Sequence, residues 1–406
     1  MSAEVFIIGG GPAGMTAAIA AARGGARVRL WEKNHSPGRK LLATGNGRCN
    51  LSNTDLSIKH FHCGRPEAAA AVLEPFGLEH TLSFFRGMGV ELRSDERGRF
   101  FSMSNESSSV LGALESEMRR LGVEVRTRCD IVGLERKGRG FLIHQRGEGH
   151  KADRVIIACG GCASPQFGSN GSGFELARQL GHNVTELRPA LVPWEIVGNW
   201  FHTLQGIRWD MELTVETSEV RKAKFLDEGL FTKYGLSGPL ALRSSRAAGE
   251  GLRSASLNFV PGRETGELGR MLEARRENLK DRPAGVFLSG LLPERIGRML
   301  VRESGIMLDN EVGTMTGAEL ASLAGNMVAW PVRIKGLRPF KEAQVTAGGV
   351  ELSRVEPGTL ESKLAPGLFF CGEVLDVDGD SGGYNLQWCW SSGWAAGTAA
   401  ARSQTH

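Results

Sequence analysis

Near the start of the chain, Gly9-Gly10-Gly11-Pro12-Ala13-Gly14 sets three glycines at the spacing G-x-G-x-x-G, a pattern whose chemistry is phosphate binding. Gly9 permits a tight turn, Gly11 lets the backbone approach a pyrophosphate, and Gly14 lets a helix pack close to a strand. Pro12 and Ala13 open that helix, whose free N–H groups and positive dipole end favour an anion. Glu32, with Lys33 beside it, follows at about the 20-residue distance where a carboxylate accepts hydrogen bonds from ribose hydroxyls. The apolar runs at residues 5–8 and 27–31 read as the flanking buried strands. A chance glycine turn would not supply strand, glycines, helix, strand and acid in that order.

A second group of residues decides which dinucleotide is bound. Val123-Glu124-Val125 reads as a strand, followed by two alternating runs around Lys137-Gly138 and a further strand at residues 154–158. That strand ends at Cys159-Gly160-Gly161, and the meander before it is a style of insertion found in FAD domains. Near the C-terminus, Gly367-Leu368-Phe369-Phe370-Cys371-Gly372-Glu373 reads as strand, turn and acid, and resembles the second FAD motif of the two-dinucleotide-fold flavoproteins, where the acid holds the ribitol chain. A helix is expected from about Leu386, with Gly383 and Asn385 just before it. Its dipole would stabilise negative charge on a reduced flavin. No second strand–G-x-G-x-x-G–helix unit is present, so the expectation is one FAD, with NAD(P)H as a transient electron donor lacking its own domain.

Residues 38–53 lie between these groups. Arg39 and Lys40 can neutralise phosphate, and Thr44, Gly45 and Asn46 make a small polar turn that suits close approach to a flavin. Cys49 beside Arg48 is the catalytic candidate, a thiol able to donate a proton; the alternative is a buried structural cysteine. Cys159 and Cys162 form a C-x-x-C, but that motif normally opens a helix, and here its first cysteine ends a strand. Asp376, Asp378 and Asp380 alternate like part of a calcium loop without its downstream Glu, so no metal is expected. No G-x-S-x-G is present either.

Four blocks together resemble the BaiN/RdsA-type NAD(P)/FAD-dependent oxidoreductases, a family that includes aminoacetone oxidase-like members. They are residues 38–53, residues 231–239 with Gly235-Leu236-Ser237-Gly238-Pro239, residues 345–350 continued by Glu361-Ser362-Lys363, and residues 372–379 followed by 382–388. The resemblance implies reduction of a C=C bond in a ring substrate, either a uracil of ribosomal RNA or a steroid-like enone. It also leaves open a flavin amine oxidase, or an FAD-binding RNA-modification protein without net hydride transfer. The family often carries histidine where this chain has Lys233, so no proton role is carried to that position. Cys162 also replaces the small residue expected there.

These sites need a fold to hold them, and the expectation is an α/β protein. Its Rossmann-like FAD-binding domain, of the two-dinucleotide-fold flavoprotein type, comprises residues 1–185 and 340–406. An inserted β-barrel-like domain takes residues 186–262 and 328–339, and a helical subdomain takes 263–327. The 406 residues exceed one ordinary core, and 55 glycines exceed the usual share of about 7%. Seven cysteines without a scaffold rhythm suit a reducing compartment, and no basic leader precedes the first apolar run, so a cytoplasmic location off the membrane is expected. Net charge of +4 permits a polyanionic partner without requiring one. Arg295, Arg298 and Arg302 share one predicted helix face, with Arg275, Arg276 and Arg282 nearby, which could suit RNA, although such a stripe is more often a solvated face.

Overall fold

The computed structural model describes residues 3–218, 222–248 and 252–402. The chain divides into two compact units, Met1–Pro189 with Phe340–His406, and Ala190–Pro339.

In the first unit, strand β1 (Glu4–Ile8) leads to helix α1 (Pro12–Arg23) and strand β2 (Arg27–Trp31). Strands β3 (Glu124–Arg126), β4 (Arg154–Ile157) and β5 (Leu368–Phe370) complete a sheet of order β3-β2-β1-β4-β5, parallel throughout. Val5, Phe6, Ile7, Val155, Ile156, Ile157, Leu368 and Phe370 have no exposed surface, as expected for strands covered on both faces. The order reverses between β1 and β4. In such sheets, ligands bind beyond the strand ends at that reversal. The register pairs Ile8 with Ile157, so the loops that follow, Gly9-Gly10-Gly11 and Cys159-Gly160-Gly161, leave the sheet side by side. The expected meander lies between β3 and β4 as Ile131–Lys137, Gly140–Gln145 and Glu148–Ala152, paired antiparallel.

The C-terminal helix, Tyr384–Ala401, starts two residues before the position expected from sequence because Gly383, at φ 110°, caps it. It runs alongside α1 in the same direction. A Cβ at Gly393 would collide with the carbonyl of Ala13, and one at Gly397 with that of Ala17, so glycine sets the close approach. The helix begins more than two turns before Gly393, which carries its N-terminus about 13 Å beyond that of α1 at ~1.5 Å per residue. Two helix N-termini thus lie in series along one edge of the unit.

The second unit holds a seven-stranded antiparallel sheet. In spatial order its strands are Trp330–Pro331, Leu252–Asn258, Arg208–Thr217, Ala223–Thr232, Gly235–Ser237, Trp194–Ile196 and Ile334–Leu337. Laid flat, seven strands would separate the outer two by about 29 Å. Only Val332 and Arg333 connect those outer strands, a reach of roughly 11 Å. The sheet must therefore curl, which is the physical content of the barrel-like expectation. Helices Thr265–Asn278, Glu294–Glu303 and Gly317–Val328 pack with it in one core containing Trp194, Phe231, Leu272, Leu300 and Leu323. The last helix carries a capping box between Thr316 and Glu319.

Candidate functional site

The glycines of the N-terminal loop differ in what surrounds them. Gly9, at φ 110°, would put a Cβ 2.5 Å from the oxygen of Ala158, and a Cβ on Gly14 would collide with the carbonyl of Gly9. Those two positions admit only glycine. A Cβ at Gly11 would meet nothing within 4 Å, so open space lies where Gly11 starts helix α1. No side chain caps that helix, which leaves the amides of Ala13 and Gly14 for an anion.

Glu32 is buried at the end of β2 and uses both oxygens. Oε2 accepts from the Gly10 amide at 2.7 Å, and Oε1 accepts from the Asn34 amide at 2.8 Å and from its side chain at 2.6 Å. Arg39 donates to the Asn34 oxygen at 3.1 Å, while Lys33 is tied to Asn170. Val125 faces Leu30 across the sheet, and the next residue, Arg126, accepts from the Glu32 amide at 2.8 Å. Glu32, Lys33 and Arg39 therefore lie past the end of β2, with Val125 within the neighbouring strand β3. Asn34, which orients both the acid and Arg39, was not singled out from sequence.

Farther along, Lys40 and Glu373 form an ion pair at 2.9 Å, and the other Glu373 oxygen accepts from the Thr346 amide at 2.7 Å. The Thr346 hydroxyl accepts from the amides of Cys162 and Ala163. A Cβ at Gly161 would lie 2.9 Å from Glu373, so the small residue after Gly160 lets the acid approach. Gly372, at φ 77°, sits against Ala13 and donates to Ser392 at 2.9 Å. These contacts place Glu373 between the two helix N-termini. Cys159 and Cys162 are both free, and burial pushes the Cys159 thiol up to about 12, which keeps it protonated and poorly nucleophilic.

At the outer helix N-terminus, Gly383 fits against the carbonyl of Ser52, and no side chain caps the helix. Asn385 bonds both ways with the Gly379 backbone, at 2.8 and 2.7 Å, and Leu386 is buried beside it. The buried Asn50 oxygen near Gly383 has no hydrogen-bond partner. In the loop beneath, Gly45 and Asn46 take left-handed conformations at φ 57° and 56°, and Thr44 donates to the Leu41 carbonyl. Arg48 lies over the Phe101 ring at 4.9 Å. Cys49 has no exposed surface and belongs to the main apolar core; burial pushes its thiol up to about 12, against a lowering hydrogen bond with Thr44. That placement favours the buried structural alternative for Cys49 over a proton donor.

The second unit revises the arginine stripe. Arg275 donates to the carbonyls of Phe287 and Ser289, Arg276 to that of Met315, and Arg295 to those of Thr203 and Gln205. Arg302 pairs with Glu303 at 2.9 Å. These side chains brace their own unit.

Taken together, the first unit fits FAD. The open space at Gly11 suits the pyrophosphate, Glu32 the adenosine ribose, Glu373 the ribitol and the helix beginning after Gly383 the flavin ring. The ~13 Å between the two helix N-termini leaves room for a ribityl chain. The family model described as HI0933-like protein Rossmann domain matches residues 3–399. The chain belongs to that family. It is an oxidoreductase, similar over nearly its whole length to enzymes of that class. It is 38% identical to a 3-dehydro-bile acid delta(4,6)-reductase of Clostridium scindens, covering 98% of this chain and 99% of the relative. Identity to a ribosomal RNA dihydrouridine synthase of Escherichia coli is 30%, covering 97% and 96%. Among solved structures, 3-ketosteroid delta1-dehydrogenase from Sterolibacterium denitrificans shares the fold with a TM-score of 0.50 and 12% identity, covering 98% and 99%. No described helix is long and apolar enough to cross a membrane.

Proposed function

We propose that the protein is an FAD-dependent reductase that saturates a ring C=C bond conjugated to a carbonyl, with NAD(P)H as the electron donor and a steroid-like enone as the substrate. The observation that carries this reading is the 38% identity, end to end, with a bile-acid reductase acting on such a bond. Bound FAD, once reduced, supplies a hydride to the alkene carbon β to the carbonyl, and the α carbon requires a proton. Gly9, Gly11, Pro12, Ala13 and Gly14 hold the pyrophosphate, and Glu32, Lys33 and Val125 the adenosine. Arg39 and Lys40 balance phosphate charge, while Thr44, Gly45, Asn46, Cys159, Gly160 and Gly161 wall the cleft. Gly372 and Glu373 orient the ribitol. Gly383, Asn385 and Leu386 would present the helix N-terminus to the flavin ring, where its dipole would favour negative charge. Cys49 packs the core and takes no part.

A second substrate, a uracil ring in ribosomal RNA, is favoured by the dihydrouridine synthase relative, since the uracil double bond is also conjugated to a carbonyl. The internal bonding of Arg275, Arg276 and Arg295 speaks for the small molecule. Anaerobic NAD(P)H should bleach the bound flavin, and a 3-oxo-4,6-diene bile acid should restore its colour. Failure of both nicotinamides to bleach it would sink the donor assignment. Loss of dihydrouridine from ribosomal RNA in cells lacking the gene would move the substrate to RNA.

A further inference from the structure

With Cys49 sealed in the core, the proton that must accompany the hydride calls for another source. Four side chains, Asp55, His60, His62 and Asp380, gather at the outer helix N-terminus. Asp378–Gly379 pairs with Phe61–His62, and the Asp380 amide donates to the His60 carbonyl at 2.9 Å. The Asp380 carboxylate then bridges two imidazoles, His60 Nδ1 at 2.9 Å and His62 Nε2 at 2.8 Å. The other ring nitrogen of His60 lies 3.1 Å from Asp55, which also pairs with Lys59 at 3.0 Å. The His60 ring stacks on Tyr384, with centroids 4.4 Å apart and planes 20° apart. Tyr384 is the first residue of the helix whose N-terminus abuts the proposed flavin ring, and Asn385 beside it bonds the Asp380 carbonyl at 3.2 Å.

The cluster has the properties of a relay. His60 and His62 side chains are 21% and 30% exposed, so water can reload them. Burial would raise Asp380, but hydrogen bonds from His62 and His60 bring its carboxyl below the usual range; Asp55 is lowered by His60 and then by Lys59. Both carboxylates stay ionised near neutrality, and proton traffic falls on the imidazoles, the side chains suited to it there. The other ionisable groups nearby are Cys63, whose thiol burial raises, with Glu67, Asp376 and Asp378 around it. No set of three or more His, Cys, Asp or Glu among the described residues is arranged to hold a metal ion.

We propose that His60 and His62, bridged by Asp380, form the proton relay of the reduction. The inference rests on the ring-alkene reductase reading above. In the step, the β carbon gains the hydride as FAD is oxidised by two electrons. The α carbon forms its new C–H bond with a proton released by an imidazolium, and water reprotonates the neutral ring. NAD(P)H returns the two electrons for the next turnover.

Two measurements test it. In the cofactor-free protein, NMR titration of the imidazoles should show His60 and His62 protonating as a linked pair, and Asp380→Asn should move both together. Independent titrations untouched by that substitution would overturn the bridge. In the holoenzyme, reduced anaerobically and mixed with a 3-oxo-4,6-diene bile acid, the H60Q/H62Q double variant should reoxidise on the order of 10²–10⁴-fold more slowly. Its pH profile should also flatten, whereas Asp380→Glu should retain the wild-type profile. A double variant with wild-type rate and pH profile would refute the relay. Wild-type flavin that the dienone fails to reoxidise would instead overturn the enone-reductase reading, and the relay's catalytic role with it.

Discussion

Replacing Glu32 with glutamine is the sharpest test of how the nucleotide is held. The carboxylate accepts from three donors, the amides of Gly10 and Asn34 and the Asn34 side chain, at 2.6–2.8 Å in a buried position. Glutamine keeps the shape and one acceptor oxygen, but turns an N–H group toward a donor. Hydrogen bonds to a charged group contribute about 1.5–3 kcal/mol each. The variant should thus lose about 2–3 kcal/mol of apo-protein stability, read as a lower urea midpoint at unchanged slope. On the proposed ribose contact, a similar loss applies to binding, a roughly 30–150-fold weaker hold on FAD. The assay is flavin-to-protein ratio after exhaustive dialysis, with FAD titration back into the stripped protein. A variant with the wild-type urea midpoint and full flavin stoichiometry would refute the reasoning.

The remaining predictions concern other parts of the first unit. Gly14→Ala should displace the start of α1, because the new methyl collides with the Gly9 carbonyl; about 1–3 kcal/mol of stability should be lost together with FAD affinity, as calorimetry can check. His182 is buried against the Ser362 hydroxyl at 2.7 Å, and burial lowers its pKa. The unfolded chain then binds the proton more tightly, so stability is full above about pH 6.5 and falls as pH drops toward the lower folded value. Urea midpoints should show that fall in the wild type and a flatter curve in His182→Gln. Cys49→Ala should lose about 1 kcal/mol of stability while flavin reoxidation changes by less than about threefold; a hundredfold slowing would return the general-acid role to this thiol.

What the sequence made legible was local in the chain. Gly9, Gly11, Gly14 and Glu32 are read within one strand–helix–strand stretch, and short-range geometry alone assigns each of them a place. The parallel β1–β4–β5 core was readable because strands buried on both faces are continuous apolar runs. Features that depend on distant partners were not. His60 and Asp380 are far apart in the chain, and the alternating aspartates around Asp380 give no hint of a histidine partner, so only the pairing of Phe61–His62 with Asp378–Gly379 joins them. Arg295 belongs to the helical stripe that could suit a polyanion, and Arg275 lies near it in sequence, yet carbonyls elsewhere in the unit occupy both. For Cys49 the sequence left a proton-donating thiol and a buried structural cysteine open; the fold around the left-handed turn at Gly45 and Asn46 buries it.

The measurement that bears most directly on the account is a single turnover without oxygen. Protein reduced with one equivalent of NAD(P)H is mixed with a 3-oxo-4,6-diene bile acid, while flavin absorbance and product mass are followed together. The account predicts that flavin colour returns as one molecule of product, two hydrogens heavier than the dienone, forms per flavin. Flavin that stays bleached, with the dienone recovered unchanged, would contradict it.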